Sequence, residues 1–292
     1  MAPSWEIPHG YLSGLPLLSG LAAMGLAIGV LSGLFGVGGG FMVVPLLSLA
    51  FGLDYRIAVG SSLAFTVGTG AGGLAAHWRG GNVATKTMLI IAGGAACGAP
   101  LGAMLLGCFY DALGAARFTS LMDVLFIALL AVVAGLLGRR KTNRTGPTLL
   151  QMIPLPAYIH IQRANLHRVS LPGLVAVGLL SGILSGLLGV GGGVILVPLL
   201  IVVVGLSAHQ AVGTSLGVVL LASISGTIKY GMDGSANLWI AMALLIGSAF
   251  GVQLGVWMCR KIHAGQLQRW FAILVLVMAA ALAVRLLATF AK

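Results

Sequence analysis

Two stretches of the chain carry the residue types best suited to hold a ligand. Gly36, Gly38, Gly39 and Gly40 lie in "GVGGGFMVVPLL", and Gly189, Gly191, Gly192 and Gly193 lie in "GVGGGVILVPLL", 153 positions later. Glycine accepts positive φ and lets other groups approach its backbone closely. A run of it inside an apolar segment interrupts a helix and frees backbone N–H and C=O groups. At the start of the following helix, free N–H groups and the helix dipole favour an anion without any charged side chain. The competing reading is close helix packing through small residues. Neither run is a phosphate-binding loop, because no Gly-Lys-Ser/Thr follows it and no βαβ unit surrounds it.

Hydroxyls follow each run: Ser61, Ser62, Thr66 and Thr69 after the first, Thr214, Ser215, Ser223, Ser225 and Thr227 after the second, with Ser61/Ser62 and Thr214/Ser215 at equivalent places. They can donate to an oxyanion, or to the carbonyl one helical turn back. Two ionisable residues are candidates for carrying a coupling proton. Asp123 stands inside "SLMDVLFIALL", and a carboxylate within a membrane span is by default a functional hypothesis. The plainer reading places it near the outer interface, reaching water. Arg117, six residues earlier, is off its helical face, so a partner must come from another helix. His77 titrates near neutrality, but beside Trp78 and Arg79 it also reads as part of an interfacial anchor. Arg285 reads as a snorkelling cation, and Lys229 reads as another or as a charge that attracts anions to the outer mouth.

No metal or cofactor is expected. Cys97, Cys108 and Cys259 are not spaced as a metal or redox set and read as small apolar side chains. The six histidines, His9, His77, His160, His167, His209 and His263, fall at or near span ends, away from mid-span serines, so an intramembrane enzyme is not expected.

The elements that must position these groups follow from composition. Of 292 residues, 59% are hydrophobic and 7% charged, with a mean hydropathy of +1.09. Soluble domains carry about 25% charged residues, so the lipid bilayer is this chain's solvent. Apolar blocks of about 18–25 residues suit helices crossing about 30 Å of hydrocarbon. The expected fold is an all-α, polytopic membrane bundle. The net charge of +11 resides in connecting loops without interleaved aromatics, which suits lipid headgroups and not nucleic acid. The N-terminus lacks the basic region of a cleaved signal peptide, so residue 1 onward is taken as mature.

The chain matches itself at an offset of 153 without gaps. "SGLFGVGGG" (32–40) falls on "SGLLGVGGG" (185–193), "AVGSSL" (58–63) on "AVGTSL" (211–216), and "GGAACGAPLG" (93–102) on "IGSAFGVQLG" (246–255). Each half reads as five segments: about 12–35, 41–52, 57–77, 84–107 and 118–138, then about 171–188, 194–206, 211–229, 237–258 and 270–289. That makes 8–10 membrane segments, with the second of each half too short to span and therefore a half-helix. The domains are 1–138, a basic connecting loop 139–170, and 171–292. The connecting loop holds Arg139, Arg140, Lys141, Arg144, Arg163 and Arg168 and is expected in the cytoplasm. Loop 259–269 carries three cations while its equivalent, 108–116, carries none, an asymmetry that inverted repeats predict. Both termini are then outside.

The doubled "SGLxGVGGGxxxVPLL", the "AVGTSL" block and the doubled "GxxxG" pattern (Gly94, Gly98, Gly102; Gly247, Gly251, Gly255) resemble the sulfite exporter TauE/SafE family over about residues 15–290. That resemblance implies a plasma-membrane transporter, in bacteria an inner-membrane one, exporting sulfite, sulfoacetate or a related sulfur-containing or organic anion. The chain departs from the family at His77, where Tyr is frequent, as Tyr230 is in the second half, and in its long central loop. The expected function is secondary active transport, one repeat rocking against the other around a midplane site of helix N-termini and hydroxyls. Protons are the expected drive and a homodimer is a candidate assembly. The alternative is an anion channel or facilitator without ion coupling.

Overall fold

The computed structural model describes residues 15–138, 158–161 and 166–290. It is helical almost throughout. The first half contains α1 (Leu15–Phe35), α2 (Gly40–Phe51) and α3 (Tyr55–Arg79), then a helical stretch Thr85–Gly138 broken at Gly114, where φ is 71° and ψ 161°. Its arms, Thr85–Gly114 and Arg117–Leu137, are α4 and α5. The second half contains α6 (Leu171–Leu188), α7 (Gly193–Leu199, continued by a π-helical turn over Leu200–Val204), α8 (Ala208–Met232), α9 (Leu238–Lys261) and α10 (Ala264–Phe290). Among the described residues eight helices are long and apolar enough to cross a membrane, and the second helix of each half is short, as the sequence predicts.

One element departs from the expected plain loop. Tyr158–Ile161 (β1) and Leu166–Ser170 (β2) pair antiparallel just before α6. The rest of the basic connection, including Arg139, Arg140, Lys141, Arg144 and Arg163, lies outside the described residues, as does the N-terminal stretch through residue 14.

The helices show apolar side chains outward as well as inward. On α9, Trp239 is 79% exposed, Phe250 75% and Ile246 63%. Leaving such a side chain in water forfeits about 1.5–3 kcal/mol each relative to burial, so these faces belong against lipid. Inside, packing rests on small residues. A Cβ placed on Gly25 would lie 2.0 Å from the Leu244 carbonyl oxygen, and one on Gly33 2.3 Å from that of Val252. From the other side, one on Gly247 would lie 1.8 Å from the Ala22 oxygen and one on Gly255 2.1 Å from that of Val30. Only glycine permits backbones this close. Position numbers rise together along this seam, so α1 and α9 run parallel.

The second seam repeats the first at the 153-residue offset. Gly178 and Gly186 of α6 face the carbonyls of Ile91 and Ala99 of α4 at 2.1 and 2.0 Å, while Gly94 and Gly102 face those of Val175 and Ile183 at 2.5 and 2.1 Å. Each half therefore lends its first helix to the fourth helix of the other. Between the seams, α3 and α8 pack antiparallel: Leu63 meets Gly226, Gly70 meets Leu220, and Leu74 meets Gly217. The two halves are thus exchanged by a pseudo-two-fold relation, residue i meeting j as j meets i.

Candidate functional site

Each Gly-rich run makes a bend between two helices. The amide of Gly36 closes α1 on the Ser32 carbonyl at 2.8 Å, and that of Gly189 closes α6 on Ser185 at 2.8 Å. Gly36, Gly38 and Gly39 then take φ of 73°, 77° and 82°; Gly189, Gly191 and Gly192 take 67°, 70° and 75°. Three left-handed residues within four positions are sterically open only to glycine. Gly39 and Gly192 are the N-caps of α2 and α7, with no capping side chain. Among the described residues, the amides of Val37, Gly38 and Gly39, and of Val190, Gly191 and Gly192, have no hydrogen-bond acceptor in the protein. All six residues are buried. Buried N–H groups without partners are rare in folded proteins, and here they occur as two equivalent sets.

The bends press against each other. A Cβ on Gly40 would lie 2.3 Å from the Gly189 oxygen, and one on Gly193 2.6 Å from the Val37 oxygen. Gly38 and Gly191 converge on one pair of side chains, Thr66 and Val219, themselves equivalent positions of α3 and α8. The eight glycines expected to form a site are therefore brought together, four from each half.

The hydroxyls near the bends act on backbone. Ser62 donates to the Gly189 carbonyl at 2.8 Å, and its equivalent Ser215 donates to the Gly36 carbonyl at 2.7 Å. Ser61 accepts from the Asn237 amide at 2.9 Å and Thr214 from the Ala84 amide at 3.0 Å, again a reciprocal pair. Thr66 donates one turn back to Ser62 at 2.7 Å, and Thr69 to the Gly38 carbonyl at 2.8 Å. These residues hold the bends in place: their oxygens face carbonyls and amides of the protein. Sequence reasoning passed over Ser32 and Ser185, one turn ahead of each bend. Both hydroxyls are buried without a partner, as is that of Ser223, 3.6 Å from the Cβ position of Gly191. The signal was present, since both serines open the doubled motif.

His77 is not an interfacial anchor. It is fully buried, and its Nε2 lies 3.1 Å from the Gly33 carbonyl. Tyr230, its equivalent, donates to the Gly186 carbonyl at 2.7 Å. Because a carbonyl only accepts, His77 carries its proton on Nε2, as the tyrosine carries its own on oxygen. Trp78, by contrast, is 50% exposed.

Asp123 does not reach water. It is 2% exposed, because α3 and α10 close over it: the Tyr55 hydroxyl donates to its Oδ1, and Arg285 Nε stands 3.6 Å from Oδ2. Arg285 likewise turns inward instead of snorkelling, with Nη2 donating to Ser48 Oγ at 3.2 Å. The partner expected from a different helix is thus supplied by α10. Lys229 pairs with Asp233 at 2.6 Å on the surface. Among the described residues no group of His, Cys, Asp and Glu is arranged to hold a metal ion.

Known proteins resemble the chain along most of its length. The family model described as "Sulfite exporter TauE/SafE" matches residues 21–282. A probable membrane transporter protein of Bacillus subtilis, YunE, is 26% identical over 253 residues, covering 83% of this chain and 89% of its own. A second from that organism, YdhB, is 28% identical, covering 78% and 84%. One from Methanocaldococcus jannaschii, MJ0441, is 28% identical, covering 87% and 91%. No solved structure matches.

Proposed function

Because the chain belongs to the sulfite exporter TauE/SafE family and is a multi-pass membrane transporter, not an enzyme, we propose that it is a secondary transporter that exports a small sulfur-containing or organic anion, such as sulfite or sulfoacetate. The anion is held where the two glycine bends meet. One observation carries this reading: six buried amides, three from each half, lack acceptors at a single junction. An oxyanion needs several donors, and backbone N–H groups supply them without the desolvation cost of a buried lysine. The unpartnered hydroxyls of Ser32, Ser185 and Ser223 are further donors, while Ser62 and Ser215 fix the spacing of the bends.

The antiparallel course of α3 and α8 supports halves of opposite orientation in the plasma membrane, with the basic connection in the cytoplasm and both termini outside. Two bends facing one point from opposite sides then give either compartment equivalent access to the anion. The bodies that move are not the sequence repeats, because the glycine seams bind α1 to α9 and α4 to α6. Each body mixes helices of both halves, and alternating access proceeds by their relative motion around the bends.

The test is uptake and counterflow in proteoliposomes with sulfite, sulfate, thiosulfate, sulfoacetate and simple carboxylates, with and without a pH gradient. Saturable counterflow of a sulfur oxyanion supports the carrier. Unitary ohmic currents with no counterflow refute it.

A further inference from the structure

One end of the bundle is tied together by three side chains. His209 (α8) shares its Nε2 proton between the Cys259 and Ile262 carbonyls at the end of α9, at 3.0 and 3.2 Å. Arg260 (α9) donates from Nη2 to the Ala76 carbonyl of α3 at 2.6 Å. His77 (α3) donates to the Gly33 carbonyl of α1 at 3.1 Å. All three ties cross one boundary, between the α1–α9 pair held by its glycine seam and the antiparallel α3–α8 pair. The first bend lies directly behind them. Gly33 leads into Gly36, and the Cβ position of Gly36 is 2.5 Å from the Val212 oxygen, on the turn after His209.

The same end concentrates positive charge. The chain leads from Asp54 to Arg79 along α3, from Lys86 to Asp111 along α4, and from Asp233 to Lys261 along α9. The described acids, Asp54, Asp111, Asp123 and Asp233, therefore all lie toward the opposite end. Arg79, Lys86, Arg260, Lys261 and Arg269 are exposed at the tied end, with no acid among the described residues to offset them. A mouth lined by one sign of charge raises the local concentration of the opposite ion. In the orientation proposed above this end faces the cytoplasm, from which an exported anion arrives.

We infer that Arg260 receives the anion at this mouth and is the latch that the anion releases. This deepens the transport reading given above and rests on it. The guanidinium lies against Gly80, whose Cβ position is 2.9 Å from Nη2 and 3.2 Å from Cζ. Its tie is to an uncharged carbonyl in the last turn of α3. An oxyanion is a stronger acceptor for a guanidinium and matches its fork of donors. The arriving anion draws Arg260 off Ala76, and water takes its place on the carbonyl. With that bond lost the two helix pairs part at this end, and the anion passes to the first bend. No covalent bond changes.

The experiment follows Cys259, fully buried beside the latch, in the full chain with the exposed Cys97 and Cys108 replaced by alanine. The protein is placed in phosphatidylcholine vesicles. Alkylation by the neutral reagent N-ethylmaleimide is timed by mass spectrometry, in sulfoacetate or in chloride at equal ionic strength. Sulfoacetate speeds alkylation by about tenfold, the scale of one charge-assisted hydrogen bond, and chloride does not. Gly80→Ala keeps the charge but pushes the guanidinium off its seat, and φ of −82° at Gly80 accepts alanine; alkylation is fast in either salt. Arg260→Gln keeps a neutral donor toward Ala76 and loses the charge; alkylation is slow in either salt. Slow alkylation of Gly80→Ala overturns the inference, as does a sulfoacetate response that survives in Arg260→Gln. Fast alkylation of the wild type caused by phosphatidylglycerol alone also overturns it and assigns Arg260 to lipid headgroups. Sulfoacetate counterflow is measured in the same vesicles. Counterflow without faster alkylation overturns the latch and leaves the transport reading intact. Absent counterflow counts against the substrate class instead, and Gly80→Ala, whose response needs no substrate, then decides for the latch.

Discussion

Gly40→Ala and Gly193→Ala test the site directly. Neither glycine has positive φ, and each is the first residue of its helix, so alanine fits the backbone without strain. What changes is the distance between the bends. A Cβ on Gly40 would sit 2.3 Å from the Gly189 oxygen, and one on Gly193 2.6 Å from the Val37 oxygen. Such contacts in proteins rarely fall below about 3.0 Å, so the bends must part by roughly 0.7 Å in the first variant and roughly 0.4 Å in the second. Overpacking of this kind costs about 1–3 kcal/mol, which leaves a stable bundle folded. A donor set displaced by a sizeable fraction of an ångström is expected to lose much more in function: at about 1.4 kcal/mol per tenfold, we expect at least a tenfold fall in counterflow for Gly40→Ala and a smaller fall for Gly193→Ala. Counterflow in proteoliposomes and thermal unfolding in detergent are measured together, with Gly135→Ala, which meets nothing within 4 Å, as the control. Wild-type counterflow in both bend variants refutes the reasoning and leaves close packing as the sole role of these glycines.

Further outcomes follow from the reciprocal contacts. Ser62→Ala and Ser215→Ala each remove a hydroxyl from a buried glycine carbonyl and should lower unfolding stability by about 1–3 kcal/mol, by similar amounts in the two variants. His77→Tyr should preserve stability, since Tyr230 fills the equivalent role, whereas His77→Leu should lose about 1 kcal/mol; thermal melts compare the two. Gly247→Ala, with a Cβ 1.8 Å from the Ala22 oxygen, should reduce the yield of folded protein far more than Gly135→Ala, read by size-exclusion chromatography. Lys229→Ala breaks only a partly exposed i,i+4 pair and should change stability by less than about 1 kcal/mol.

The segments were legible because hydropathy acts locally: a span needs its own run of apolar residues, and a short helix announces itself between glycines and loop signals. The bends were legible for the same reason, since "GVGGG" cannot continue a helix comfortably. The exchange of helices between halves was only half visible. The "GxxxG" runs showed that something packs closely on Gly94, Gly98, Gly102, Gly247, Gly251 and Gly255, but glycine has no side chain with which to specify its partner. Asp123 was misread for a related reason. Its partners lie 68 residues before it and 162 after it, and the nearest cation in sequence, Arg117, sits on another face. His77 looked interfacial from its neighbours Trp78 and Arg79, yet in a helix successive residues point in different directions, and its own face is turned toward Gly33. The roles of Ser62 and Ser215 required three dimensions, since a hydroxyl that holds a carbonyl from the other half looks the same in sequence as one that awaits a ligand.

The glycine seams bear on how the protein is made. Helix α1 finds its closest partner in α9, more than two hundred residues later, and α4 finds its own in α6. When the ribosome has delivered only the first 138 residues, both glycine rails stand open to lipid, where they gain little, because lipid cannot interdigitate with bare backbone as another helix can. The first half therefore waits in the bilayer as a loose set of spans, and the last α-helices to emerge complete a lattice whose earlier members were laid down unpaired. Truncation after residue 138 should leave an inserted but protease-sensitive product, and supplying residues 171–292 as a separate chain should rescue it.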